Sequence, residues 1–368
     1  MAIDRALHAV TWACWVAAAL VVLSITRNPI YVGLTLLWIG LVWLAVGHAP
    51  SLRDLPAAPL SPLRFGLFVV VMSTLFNGLT VHAGRTVLFV IPGRVPLFSG
   101  PVTLEAVVYG MVNGLVLAGL FAAFMLLTRA VAVRDLIRLI PRAFYPVAVV
   151  ISIALTFVPT TLQEFRQIRE AQAVRGHRMR GLRSWLPLFL PLLIGGMERA
   201  LQLAEAMMAR GFAGAPAADD DTRLRAGMLA GLVLVATGLL LRLVWQIRLT
   251  GGILLLLGVV LMALTLRQAG RRHPHTVYRR RPLHGRDWLV ISAAAVTAMI
   301  FVVPLPGVDR ASLYYLPYPQ VTLPPLSLAL GAATWGLLMP AAVLAWQIAL
   351  AGPPSKSSPS KSTVQPRP

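Results

Sequence analysis

Residues 147–176 read VAVVISIALTFVPTTLQEFRQIREAQAVRG. Whether this stretch crosses a membrane decides the fold. Its first 13 residues (147–159) are apolar, and the remainder alternates apolar and charged positions at helical spacing. A crossing helix needs about 20 apolar residues, so a run this short is expected to be buried or interfacial. The same holds for WLPLFLPLLIGGM (185–197), which is interrupted by Pro187 and Pro191. Each proline favours a kink or a boundary, because it lacks the N–H that a helix interior needs.

The rest of the chain is unambiguous in class. Of 368 residues, 57% are hydrophobic and only 12% charged, with mean hydropathy +0.75. Soluble domains carry roughly 25% charged residues. Candidate spans lie near 7–26, 30–48, 64–83, 103–128, 226–247, 250–267, 287–305 and 325–350. The net charge is +20, and 31 of the 33 basic residues are arginine; Lys356 and Lys361 are the two lysines. The arginines sit between apolar runs, where a lipid bilayer orients them, so nucleic acid is not the expected partner. Cys14 is the single cysteine and lies in an apolar run, which excludes disulfides within the chain and thiolate metal sites. The N-terminal apolar stretch, residues 6–25, shows no clear cleavage signal and is expected to be retained.

Charge tests the topology. With both termini cytoplasmic and the two short runs not crossing, 27 of the 33 basic residues fall inside. Arg27, Arg85, Arg94, Arg242, Arg248 and Arg310 fall outside. That asymmetry is what the positive-inside rule requires. If both short runs crossed, parity would survive, but the loop from Arg166 to Arg183 would move outside. The expectation is an all-α polytopic membrane protein with about eight spanning helices and a cytoplasmic block of long helices. It divides into four first spans (1–128), the block (129–214), a helical hairpin with the start of a basic loop (215–272), C-terminal spans (273–352) and a Pro/Ser-rich tail (353–368) expected to be disordered.

Within the block one pattern occurs twice. Glu170-Ala-Gln-Ala173-Val-Arg175-Gly176 matches Glu205-Ala-Met-Met-Ala209-Arg210-Gly211, 35 residues later. Gly176 and Gly211 fit the position just past a helix end, where positive φ is cheap for glycine. Arg175 and Arg210 would then suit the negative end of the helix dipole. Two well-capped helix ends account for that much. They do not account for the recurrence of Glu and Ala, nor for both ends lying in one block. An exposed arginine at a helix tip is also suited to bidentate pairing with a partner's carboxylate. Nearby, Arg166 and Glu170 stand at i, i+4 and can pair.

Catalytic signatures are missing. There is no phosphate-binding G-x-x-x-x-G-K-[ST], and no lysine precedes Lys356. Neither H-E-x-x-H nor G-x-S-x-G occurs. His273 and His275 lie in the basic run RQAGRRHPHTVYRRR, whose positive potential opposes a metal. His8, His48 and His82 lie near helix ends. Asn77 and Asn113 are the notable polar residues within spans. Asn113 adjoins the small-residue stripe Gly110, Gly114 and Ala118, which reads as close helix packing with an interhelical hydrogen bond, or else as a substrate contact. Glu105 opens its helix after Thr103 and complements the dipole. No catalytic residue, metal site or cofactor is expected, and coupling to a separate motor through the cytoplasmic block fits a membrane protein so equipped.

The doubled motif resembles that of the transmembrane T component of energy-coupling factor (ECF) transporters, a family that includes the cobalt-transporter permease. TRNP (26–29), TLEAVVYG (103–110), the stretch from Leu136 through Gly176, YRRRPLHGRDWL (278–289) and YYLPYPQVTLPP (314–325) are similar to further parts of that family. The resemblance covers most of residues 1–214 and 273–345. It implies a non-enzymatic scaffold of the plasma membrane, with two ATP-binding cassette ATPase subunits and a small membrane S component as partners, importing a vitamin or metal ion. Glu170, Ala173, Arg175, Gly176, Glu205, Ala209, Arg210 and Gly211 would form the ATPase-coupling tips. Val174 stands where the family often has Ala, and residues 215–272 look like an inserted hairpin. A self-sufficient secondary transporter or channel, the alternative, would show ionisable groups inside its spans and repeat symmetry. A membrane-embedded enzyme would cluster its acids, but the 13 acidic residues are scattered.

Overall fold

A computed structural model describes residues 7–48, 61–91, 100–140, 144–176, 185–211, 221–272, 282–303, 305–306 and 308–351. They form α1 (Ala9–Ile25), α2 (Pro29–His48), α3 (Pro62–Thr80), β1 (Val87–Ile91), β2 (Gly100–Thr103), α4 (Leu104–Ala130), α5 (Val133–Ile137), α6 (Tyr145–Val174), α7 (Leu186–Ala209), α8 (Asp221–Leu243), α9 (Arg248–Arg272), α10 (Gly285–Val302), α11 (Leu328–Ala333) and α12 (Met339–Ala351). A 3-10 stretch, Thr334–Leu338, joins the last two. The protein is an all-α polytopic membrane protein. The chain forms two compact units, residues 1–136 with 279–368, and residues 137–278.

Among the described residues, nine helices are long and apolar enough to cross a membrane. The set differs from the sequence reading in three places. Val147–Val174 and Leu186–Ala209 qualify, because each 13-residue run continues without a break into amphipathic helix. Pro187 sits in the first turn of α7, where its missing N–H costs nothing, while Pro159 and Pro191 lie inside their helices. By contrast α1 has 17 residues, short of a full crossing by the usual length. The segment before α4 also differs, since β1 and β2 form an antiparallel two-stranded sheet there. The hairpin turn between α8 and α9 falls at residues 244–247, ahead of RLTGG, with Gln246 at φ 55°.

In the first unit, α3 and α4 pack at backbone distance. A Cβ on Gly114 would stand 2.7 Å from the Val70 Cα, and one on Gly110 would stand 2.8 Å from the Asn77 Cβ and the Ser73 carbonyl. The other face of α3 carries Leu63, Leu67, Val71 and Leu75, all exposed at i, i+4 spacing. An outward apolar stripe of this kind belongs against lipid. Small residues inside and large apolar ones outside is how membrane helices associate, because hydrocarbon removes the hydrophobic reason to bury leucine.

The Asn113 side chain makes no hydrogen bond among the described residues. The interhelical bond runs from the Ser73 hydroxyl to the Gly110 carbonyl (2.8 Å), and the Asn77 amide turns back on its own helix to the Ser73 carbonyl (3.0 Å). So the stripe's packing role stands, with serine as the polar partner. Glu105 is fully buried, and its carboxylate accepts from the backbone N–H groups of Arg85 (3.2 Å) and Thr86 (3.0 Å). It therefore clamps the loop entering β1 as well as opening α4.

The TRNP turn is another anchor. The buried Asn28 amide donates to the carbonyls of Ser312 and Pro325, both at 2.7 Å, while its Oδ1 accepts from the Ile30 N–H (3.0 Å). Tyr31 adds a hydroxyl that accepts from the Ser327 N–H (2.7 Å). These bonds fix the extended segment 314–327 against the start of α2. At the far end of α1, buried Asp287 accepts from the His8 N–H (2.9 Å), the Thr11 hydroxyl (3.0 Å) and the His284 N–H (3.0 Å).

Candidate functional site: two arginine-glycine helix ends

The local sequence builds two similar tips. α6 ends with Arg175 at its C-cap and α7 with Arg210 at its own. Gly176 and Gly211 follow, both at φ 78°, the left-handed conformation that terminates a helix and favours glycine. The Gly176 N–H donates to the Ala173 carbonyl (3.0 Å) and the Gly211 N–H to the Met208 carbonyl (2.9 Å). Open space surrounds both glycines, so conformation and not crowding selects the residue.

All eight residues singled out from the sequence are exposed: Glu170, Ala173, Arg175, Gly176, Glu205, Ala209, Arg210 and Gly211. Val174, beside Arg175, is 90% exposed. Among the described residues neither arginine has an ion-pair partner. The negative end of each helix dipole favours a cation at this position, and the exposure of both residues leaves each guanidinium open to solvent. Such a tip can enter a carboxylate-lined groove without first breaking an internal contact.

Arg166 and Glu170 form no ion pair among the described residues. The pair on α6 is instead Glu164 with Arg199 of α7. Sequence reasoning passed over it because the two residues are 35 positions apart and only the meeting of α6 and α7 unites them. Beside it, Phe165 stacks near Trp185 (6.3 Å between ring centres), which in turn stacks near Phe189 (5.7 Å). His273 and His275, the acidic residues 219–220 and the tail from 352 lie outside the described residues.

The family model described as CbiQ, cobalt transport protein, matches residues 3–220, more than half of the chain. The chain is 31% identical over 238 residues to the energy-coupling factor transporter transmembrane protein of Lacticaseibacillus paracasei, covering 55% of this chain and 87% of that one. It is 36% identical over 137 residues to the corresponding protein of Exiguobacterium sibiricum (32% and 50%). A Listeria monocytogenes relative of the same description is 30% identical over 179 residues (43% and 60%). The chain thus spans 50% and 60% of the length of the latter two relatives. It belongs to the CbiQ family of ECF transporter transmembrane components.

Proposed function

We propose that the chain is the non-catalytic coupling scaffold of an ECF-type importer. The observation that carries this reading is the pair of exposed Arg-Gly helix ends, Glu170–Gly176 and Glu205–Gly211, alike in sequence and in capping. Arg175 and Arg210 each enter an acidic groove on one of two separate ATPase subunits. When the ATPases close on ATP, α6 and α7 carry the motion to a small membrane S component, which holds the cargo. That cargo is a vitamin or a metal ion and is chosen by the S component. Hydrolysis occurs in the partners, which fits the lack of a phosphate-binding lysine ahead of Lys356. The chain sits in the plasma membrane with both termini cytoplasmic and with α6 and α7 lying along the inner face without crossing, the arrangement in which 27 of the 33 basic residues fall inside and both tips face the ATPases. Residues 215–272 are an inserted hairpin, and the tight packing of α8 on α9 supports the hairpin: Gly238 meets the Gly251 carbonyl, and Gly258 meets that of Gly231 (both 2.9 Å from a built Cβ).

The test is affinity purification from native membranes in mild detergent, wild type beside Arg175→Glu with Arg210→Glu. Two ATPase chains accompany the wild type and are lost from the variant, because like charge then faces the acidic grooves. Uptake is abolished while membrane insertion is kept. A well-folded wild type that brings no ATPase overturns the reading.

A further inference from the structure

Glu164 and Arg199 occupy a special place in the repeat. The two motifs are 35 residues apart, and so are Glu164 and Arg199. Glu164 precedes Arg175 by 11 residues, and Arg199 precedes Arg210 by 11. At 1.5 Å per residue, each arm from ion pair to tip is about 16 Å long. The repeat therefore meets itself at this point, with equivalent positions filled by opposite charges. Like charges there would push the helices apart where they touch.

The local surroundings make the pair dominant. Neighbouring residues Glu164 and Phe165 reach α7 at Arg199 and Trp185, which are 14 residues apart, so the helices meet over a short stretch of α6. Leu188 is the one fully buried residue described on α7. Most other large side chains of the two helices are exposed, among them Val158, Leu162, Leu193, Met197 and Leu201. The Arg199 side chain is 27% exposed, but its Nε and Nη2 are buried with no hydrogen-bond partner among the described residues, so Glu164 is the counter-charge of a half-buried guanidinium.

We infer that the Glu164–Arg199 ion pair is a positioning element: the fixed point from which the two Arg-Gly tips are held at equal reach, one for each of two equivalent partner subunits. This rests on the coupling reading proposed above. Neither residue touches a partner; both act through Arg175 and Arg210. Fixed arms matter because two grooves can be filled at once only by tips of fixed separation, and a loose pair would lose the gain in effective concentration that double engagement brings.

The separation of the tips can be read on the chain alone. In a Cys14→Ser background, Val174→Cys and Met208→Cys, both exposed, carry spin labels on full-length protein in lipid nanodiscs. Pulsed electron resonance then gives the tip-to-tip distance distribution. A single narrow peak is expected. Glu164→Gln and Arg199→Gln should each abolish it, and the exchange of Glu164→Arg with Arg199→Glu should restore it. Survival of the narrow peak in either glutamine variant, or failure of the exchange to restore it, overturns the proposal. If a glutamine variant does not accumulate, Glu164→Asp takes its place; it keeps the charge but shortens the reach, and an unshifted peak overturns the proposal equally. Copurification of ATPases, run in parallel, separates the two ideas. Absence of ATPases from the wild type removes the coupling reading, whereas the distance data judge the ion pair by themselves.

Discussion

Two helix pairs in this chain are held by opposite means. α3 and α4 touch backbone to backbone across Gly110 and Gly114, with one hydroxyl bond between them. α6 and α7 touch at an ion pair and an aromatic stack, and leave most of their surface open. Close packing over a long seam loses dispersion contacts with any slide, and so gives a rigid body. Sparse contact leaves the placement of two helices to a few groups, here the ion pair and the aromatic stack. The same all-helical chain thus contains a closely packed pair, a frame, and a sparsely packed pair that would act as a lever in the proposed coupling, and the candidate site lies on the latter.

The largest break in that comparison should come from Gly114→Leu. The new side chain must displace the Val70 Cα, 2.7 Å from a built Cβ, and overpacking of this kind costs about 3 kcal/mol. Thermal unfolding in detergent, followed by the fraction remaining monodisperse, should show a steep loss. Second is Asn28→Ala, which strips a donor from two carbonyls at once; about 2 kcal/mol should go, since unpaired buried acceptors are costly. Limited proteolysis should then cut within 314–327, a segment expected to resist in the wild type.

Smaller effects sharpen the lever side. Gly211→Ala must adopt φ 78° with a Cβ, at about 1 kcal/mol. Hydrogen exchange of the last turn of α7 should quicken, and binding of an ATPase should weaken without loss of the fold. Gly195→Ala is the mildest. Nothing lies within 4 Å of its built Cβ, so the helix should gain about 0.5–1 kcal/mol from its better propensity. A melting temperature unchanged or slightly raised would confirm that α7 is openly packed. A drop as large as that of Gly114→Leu would erase the distinction between frame and lever.

The glycine caps could be read from the sequence because a helix stop is a local event: Arg-Gly after an amphipathic run encodes its own ending, and both positive φ values follow. The Gly110 and Gly114 stripe could be read for the same reason, since spacing of small residues needs no knowledge of the partner. The partner itself could not. Asn113 looked like the polar contact by composition, yet Ser73 makes it, because the rotation of α3 about its axis sets which side chain faces the stripe. Likewise, a 13-residue apolar run says nothing of where its helix ends. Val147–Val174 and Leu186–Ala209 reach spanning length by continuing through polar sequence.

Membrane class, helix content and the two matched tips are legible in the residues alone, because hydropathy, charge asymmetry and helix stops are all written within a few turns of chain. The fold decided that Glu164 meets Arg199 rather than Arg166 meeting Glu170. It also decided that Asn28 ties α2 to a segment nearly 300 residues away. Such contacts join positions far apart in sequence, and they depend on the angle at which whole helices meet, which no local pattern of residues specifies.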